Sequence, residues 1–139
     1  MNKNAKWIKS NEQIGEISPD FRKSIKLSGK VAKAEALVTS YGVYDFFVNG
    51  NKVGKGFMAP GWTSYPSRIQ YQKYDITDLV TENTAFSIIA GKGWALGNIG
   101  YHRRPAVDCS KIAVIASIDI TYEDGKCETI VTDESWVFH

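Results

Sequence analysis

The residues of this sequence that could carry out acid–base chemistry are its carboxylates. Cleavage of a bond by carboxyl groups that act as general acid and general base needs two of them, placed across that bond. The candidates by residue type are Asp45, Asp75, Asp78, Asp108 and Asp119. Their spacing selects no pair, and each suits an ordinary role as a helix cap, a loop residue or the solvent side of a strand. We therefore expect no catalytic pair in this chain.

Metal binding and covalent catalysis have less support still. The histidines are His102 and His139, and neither they nor Cys109 and Cys127 show the short spacing of a zinc site. The 91–93 segment, Gly-Lys-Gly, lacks the spacing and the hydroxyl residue of a phosphate-binding loop. Calcium stays open, because carboxylate and carbonyl ligands need no short motif. These residue types predict a chain that binds or braces.

The two cysteines are expected to be reduced and separately buried. If Asp124-Gly125 forms the turn of the last hairpin, Cys127 lies opposite Tyr122. Cys109 then lies outside the position that a disulfide to Cys127 would need.

Length and charge limit the protein class. The chain has 139 residues, enough for one domain, residues 1–139, with its own core. It has 17 basic and 15 acidic residues with no long run of one sign, which predicts neither a nucleic-acid nor a membrane partner. The N-terminus leads into no apolar segment of signal-peptide length, so the sequence as given predicts a cytoplasmic protein.

Alternating polarity predicts an all-β fold. Helix is the competing interpretation of 31–38, but no N-cap precedes that segment and strand-like residues follow it. A helical turn capped by Asp75 or Thr77 is predicted to close one end of the core with Ile76, Leu79 and Val80. About eight short strands with frequent turns favour a jelly-roll type β-sandwich. The predicted strands cover 21–27, 32–41, 44–48, 51–53, 68–74, 85–90, 112–122 and 127–132, with one more beginning at Trp136.

The clearest turn is Asn49-Gly50, a pair that suits a two-residue hairpin because both residues tolerate positive φ. This turn places Val48 opposite Asn51 and Phe46 opposite Val53. The side chains predicted to share the core face are Tyr44, Phe46, Val48 and Val53.

Two loops carry the candidate ligand-binding residues. Trp62 and Tyr65 follow a bend at Pro60-Gly61, and the irregular 91–110 segment contains further aromatic and polar side chains. Such rings either close the core or offer a flat surface to a sugar, and the sequence leaves both interpretations open. The candidate set is Trp62, Tyr65, Trp94, Asn98 and Tyr101, with Arg103 and Arg104 as hydrogen-bond donors at the rim.

Six separated motifs stand out along the chain. They are Pro19-Asp20-Phe21-Arg22-Lys23, Tyr41-Gly42-Val43-Tyr44, Asn49-Gly50-Asn51-Lys52-Val53-Gly54, Ala59-Pro60-Gly61-Trp62-Thr63-Ser64-Tyr65, Tyr71-Gln72-Lys73-Tyr74-Asp75-Ile76-Thr77 and Gly93-Trp94-Ala95-Leu96-Gly97. In this order they resemble the N-terminal β-sandwich of bacterial α-L-rhamnosidases, and a seventh segment, 132–136, is similar to the closing segment of that domain. The resemblance covers nearly the whole chain and implies a galactose-binding-domain-like fold.

The resemblance implies a fragment of a larger multidomain glycoside hydrolase that removes terminal L-rhamnose from glycosides. The implied partners are a downstream catalytic helical barrel of the same polypeptide and rhamnose-containing glycosides, and this fragment alone is expected to be inactive. Some related modules bind rhamnose, in some cases with calcium, but the resemblance assigns no calcium ligands here. The alternative is an independent lectin-like or protein-docking module without a linked enzyme.

Overall fold

The computed structural model describes residues 1–10, 17–97 and 112–139. Within these ranges, ten strands form two five-stranded antiparallel sheets, with a 3₁₀ turn at Thr77–Leu79 and a helix α1 at Gly93–Leu96. None of the described helices is both long and apolar enough to cross a membrane. The strands are β1 (Ile8–Lys9), β2 (Asp20–Lys26), β3 (Val31–Tyr41), β4 (Val43–Val48), β5 (Asn51–Lys52), β6 (Gln72–Asp75), β7 (Asn83–Gly91), β8 (Ala113–Tyr122), β9 (Cys127–Val131) and β10 (Val137–Phe138).

The two sheets face each other as a sandwich. Sheet A has the order β1-β8-β3-β6, and β9 pairs with a separate stretch of β8. Sheet B has the order β10-β2-β7-β4-β5. The chain passes from sheet A to sheet B at Gly42, between β3 and β4. The predicted all-β jelly-roll type sandwich is confirmed.

The core lies between the sheets because apolar residues alternate along the central strands. On β4 the buried residues are Tyr44, Phe46 and Val48, as predicted. The ring of Phe46 lies 6.3 Å from that of Phe86 in sheet B and 5.9 Å from that of Tyr74 in sheet A. Such aromatic pairs add to the stabilisation that comes from buried apolar area.

The predicted first hairpin is confirmed. Val48 pairs with Asn51, and the Val53 N–H donates to the Phe46 carbonyl oxygen at 2.8 Å. Asn49 and Gly50 have φ of 50° and 78°, as this turn requires. The strand interpretation of the 31–38 segment is also right, since β3 lies centrally between β6 and β8.

Two predicted elements need correction. Residues 68–71 are not strand: β6 begins at Gln72, because Arg68 completes a turn by donating its N–H to the Ser64 carbonyl and its Nε–H to Thr63 Oγ1 at 3.2 Å. The segment after β7 is not wholly irregular, since it contains α1. The count of about eight strands was low because β1 and β10 were not counted as full strands.

The last hairpin differs from its predicted register by one residue. Cys127 pairs with Thr121 rather than Tyr122, because Gly125, with φ of 85°, extends the turn to three residues. A shift of one residue moves a side chain to the other face of a sheet. The thiol of Cys127 is therefore free and exposed rather than buried; Cys109 lies outside the described residues.

The 3₁₀ turn packs Ile76, Leu79 and Val80 on the core as predicted, but its N-cap is Ile76 and no side chain makes a capping hydrogen bond. The residues just before the turn predict a pH dependence of stability. Hydrogen bonds from the Thr77 hydroxyl, at 2.6 Å, and the Thr77 N–H lower the pKa of Asp75. A lowered folded-state pKa stabilises the protein above the unfolded value, about 4, and this contribution is lost as pH falls through the folded value. We expect the difference in Tm between wild type and Asp75→Asn to shrink on acidification, as measured by thermal denaturation. Asp78→Asn, in the same turn, is the matched control, and an equal response in both variants would contradict this assignment.

Candidate functional site

The connection between β5 and β6 brings a loop, residues 57–65, across one end of the sandwich. Sheet B holds its first part, because the Tyr44 N–H donates to the Ala59 carbonyl oxygen at 2.8 Å. A tight turn follows, in which the Gly61 N–H donates to the Met58 carbonyl oxygen at 3.1 Å. The loop is thus fixed to β4 before it leaves sheet B.

Sheet A holds the second part of the same loop. The amide of Gln72, at the start of β6, donates to the Pro60 carbonyl oxygen at 3.1 Å. The amide of Gln70 donates to the Trp62 carbonyl oxygen at 3.2 Å, and Thr39 Oγ1 donates to the Gln70 carbonyl oxygen at 2.5 Å. Because both sheets hold the loop, its backbone is ordered before any ligand arrives.

Trp62 is the exposed aromatic residue that the sequence placed in the candidate set. Its side chain is 66% exposed, so it does not close the end of the core. An indole held outward on a fixed loop can stack on the apolar face of a pyranose ring at low entropic cost. The platform interpretation therefore fits Trp62 better than the lid interpretation.

Tyr65 differs from Trp62, although both are in the candidate set. Its side chain is 5% exposed, and its hydroxyl donates to the Gly61 carbonyl oxygen at 3.4 Å. Burial raises the pKa of the Tyr65 phenol. The structure places Tyr65 beneath the loop as a support, where little of its ring could meet a ligand.

Two tyrosines below the loop, Tyr44 and Tyr74, form a pair that no sequence motif indicated. The Tyr44 hydroxyl lies 3.1 Å from that of Tyr74 and donates to the Val38 carbonyl oxygen at 3.0 Å. Burial, with the Tyr74 hydrogen bond, strongly raises the pKa of Tyr44, which keeps the phenol neutral. These hydroxyls link the two sheets directly under the loop, and no sequence pattern marks such a pair.

The second candidate segment is described only at its beginning. Trp94, on α1, is half-buried and packs against the core, while the next residues, Ala95 and Leu96, are buried. The structure thus presents less of the Trp94 ring than of the Trp62 ring. The remaining predicted residues, Asn98, Tyr101, Arg103 and Arg104, lie outside the described residues.

Three of the described candidate carboxylates, Asp45, Asp75 and Asp119, have ordinary partners, and so does Glu35, which was not a candidate. Asp45 pairs with the Lys52 ammonium at 2.7 Å, and Asp119 accepts a hydrogen bond from Thr129 Oγ1 at 2.7 Å. Glu35 lies between Lys73 and Lys33, whose hydrogen bonds lower its pKa. Asp108 lies outside the described residues. Across 1–10, 17–97 and 112–139, no three His, Cys, Asp or Glu residues gather as metal ligands would.

Among the concave surfaces that the described residues form outside the predicted site, two are the largest given by their lining residues. A groove of about 310 Å³ on sheet B is bordered by Phe57, Met58 and Ile89, residues that the sequence did not mark as ligand contacts. Sequence patterns mark Phe57 and Met58 only weakly, because both lie in a loop whose residues do not alternate between polar and apolar. A cavity of about 690 Å³ lies between the β2–β3 turn and the 77–82 segment. Its lysines, Lys26 and Lys30, already pair with Glu82 and Glu123.

Comparison with known proteins gives one consistent result. The family model "Alpha-L-rhamnosidase N-terminal domain" matches residues 29–139. An α-L-rhamnosidase of Streptomyces avermitilis is 36% identical over 114 residues, which are 77% of this chain and 10% of that protein. The chain thus spans about a tenth of the length of this curated relative.

Solved structures agree. The native α-L-rhamnosidase of Aspergillus terreus matches with a TM-score of 0.91 and 29% identity, over 99% of this chain and 17% of that one. A lectin of Pleurotus ostreatus, solved in complex with GalNAc, matches with a TM-score of 0.65 and 28% identity, over 98% of this chain and 35% of the lectin chain.

Proposed function

Because the chain belongs to the family of α-L-rhamnosidase N-terminal domains, we propose that it serves an α-L-rhamnosidase as a non-catalytic accessory domain that presents Trp62 to rhamnose-containing glycosides. The observation that carries this proposal is the 66% exposure of Trp62 on a loop held by both sheets. In such an enzyme, the catalytic acid and base belong to a helical barrel of the same polypeptide.

Sugar contact fits the chemistry of the loop. L-rhamnose is a deoxy sugar with an apolar ring face and a methyl group, and an exposed indole offers both of them a desolvated surface. Backbone and amide groups near Trp62, including the side chain of Gln70, can bond its hydroxyls. The match to a lectin solved with a bound amino sugar supports a sugar-binding role for this fold.

The non-catalytic part of the proposal follows from the described carboxylates. Asp45 is paired with Lys52, Asp75 accepts hydrogen bonds from Thr77, and Asp119 accepts one from Thr129, so none of these three carboxylates is without a partner. We expect the 139-residue chain not to hydrolyse a chromogenic α-L-rhamnoside. Release of the chromophore by the purified chain would overturn the accessory role.

Titration calorimetry of the chain with L-rhamnose tests the sugar contact, with parallel titrations in calcium and in a chelator. We expect saturable heat in the millimolar range, which is typical of a single stacked sugar. The absence of binding heat at all sugar concentrations would show that the domain makes no direct contact with L-rhamnose. A dependence on calcium would add a metal ion to the site.

Loss of the Trp62 ring is expected to weaken rhamnose binding. Replacing Trp62 by Ala removes stacking worth about 1.5 kcal/mol, which corresponds to an increase in Kd of roughly tenfold. Because Trp62 is largely exposed, the free energy of unfolding should hardly change. Trp7→Ala is the matched control, since Trp7 is not part of the 57–65 loop and packs on Tyr41 with ring centroids 4.7 Å apart. Equal affinities for Trp62→Ala and wild type would exclude Trp62 as a contact.

A further inference from the structure

Three large apolar side chains stand exposed around one groove on the outer side of sheet B. Phe57 is 87% exposed, Met58 48% and Ile89 38%, and all three line the groove of about 310 Å³. Ile17, which is 85% exposed, precedes Ser18 at the edge of the same groove. A contiguous apolar surface of this kind usually marks a place where another surface binds.

The groove is held in shape by its own backbone. The bond from Tyr44 to the Ala59 carbonyl fixes one side, and the Gly61 N–H holds the Met58 carbonyl. Met58 has φ of 58°, a conformation that a non-glycine residue seldom adopts. The Lys52 ammonium lies 5.2 Å from the centre of the Phe57 ring. These contacts hold the rim of the groove in place.

The chemistry of the groove suits a protein side chain better than a sugar. Sugar recognition needs hydrogen-bond partners for several hydroxyls, yet the carboxylate of Asp45, at the edge of the groove, is already paired with Lys52 at 2.7 Å. Tyr44 also lines the groove, but its hydroxyl is already bonded to the Val38 carbonyl oxygen. Apart from Ser18, the other side chains of the lining are apolar, and the large ones are Phe57, Met58, Ile89 and Val43. Burying them against an aliphatic or aromatic side chain would release bound water without leaving polar groups unpaired.

We propose that this groove is the surface on which the rest of an α-L-rhamnosidase polypeptide packs, with an apolar side chain of that part seated between Phe57, Met58 and Ile89. The inference rests on the proposed function. Family members are far longer than this chain, which spans 10% of one relative and 17% of another. A partner on the same polypeptide is present at high effective concentration, and domain interfaces of about 600–1,500 Å² are centred on such apolar anchors. The groove thus orients the accessory domain, while Trp62 stays free for sugar.

Hydroxyl-radical footprinting with mass spectrometry tests the inference on two samples, the 139-residue chain and the full polypeptide of an enzyme that carries it. We expect the oxidation rates of Met58 and Phe57 to fall several-fold in the full polypeptide. Val137, which is exposed and does not line the groove, is an internal control whose rate should not change.

Three results would overturn the inference. Equal reactivity of Met58 in the two samples would show that the groove stays open in the enzyme. Protection of Met58 in the short chain by L-rhamnose would assign the groove to sugar. Protection that grows with the concentration of the short chain alone would assign it to a second copy of the domain.

A pair of variants gives an independent measurement. Phe57→Ser should leave the Tm of the short chain unchanged, because the ring is 87% exposed there, but lower the Tm of the full polypeptide. Tyr71→Ser, also an exposed ring but outside the groove, should lower neither. An unchanged Tm for Phe57→Ser in the full polypeptide would contradict the inference. If Met58 is protected but the full polypeptide hydrolyses no rhamnoside, the docking surface stands and the proposed function fails.

Discussion

Replacing Phe46 by Ala is expected to lower the free energy of unfolding by about 3–5 kcal/mol, because it leaves a cavity between the two sheets. Phe46 is 1% exposed, and its ring contacts Phe86 in sheet B and Tyr74 in sheet A. A domain of this size is stable by only about 5–15 kcal/mol, so the variant loses a large part of its stability. Urea denaturation followed by tryptophan fluorescence measures the change.

The neighbouring residue provides the control for this prediction. Phe47 can also be replaced by Ala, but its half-buried side chain lies on the outer face of β4. We expect Phe47→Ala to cost about 1 kcal/mol, in line with the smaller apolar area that it covers. Similar losses of stability in the two variants would mean that Phe46 and Phe47 do not lie on the buried and the outer face of β4, respectively. The loop that carries Trp62 should also loosen in Phe46→Ala, since the Tyr44–Tyr74 contact beneath it lies beside Phe46.

Gly42→Ala is expected to destabilise the domain by about 3 kcal/mol or more, because backbone strain and a steric clash add at one position. Gly42 has φ of +119°, and a Cβ atom there would lie 2.0 Å from the Gly91 carbonyl oxygen and 3.1 Å from that of Lys92. Relief of this clash would require the end of β7 to move away from the point where the chain changes sheet. Thermal and urea denaturation of the variant measure the cost.

Gly50→Ala separates the two causes. Gly50 also has positive φ, 78°, but no atom lies within 4 Å of the Cβ position, so only the strain of about 1 kcal/mol applies. If Gly42→Ala lowers the free energy of unfolding by no more than Gly50→Ala does, Gly42 is not packed closely against the 91–92 backbone.

Much of the fold could be predicted from sequence because strand periodicity is a local property. The alternation in 85–90 and 118–122 reflects which face of each sheet is buried, and the Asn49-Gly50 pair specifies its own turn. The last hairpin was less predictable. A single glycine, Gly125, decides whether the turn has two or three residues, and that choice alone sends Cys127 to the solvent side.

The candidate site was predicted only in part. Trp62 and Tyr65 lie three residues apart in the same motif, and their residue types give each an equal claim to burial or exposure. The tertiary structure distinguishes the two residues. The Gln70 amide bonds the Trp62 carbonyl and holds that residue at the surface, whereas the Tyr65 hydroxyl bonds the Gly61 carbonyl. Loop residues have no periodicity, so no local pattern could distinguish them.

The sequence by itself determined the strand pattern, the first hairpin with its core face and the family, since each depends on residues that are neighbours in the chain. Only the tertiary structure decided which aromatic rings are exposed, where the apolar groove opens and which hydroxyls join the sheets. Those features depend on contacts such as Tyr44 with Tyr74 and Thr39 with Gln70, about thirty residues apart in sequence. A side chain's exposure is set by what packs on it, and for loop residues that partner comes from a distant part of the chain.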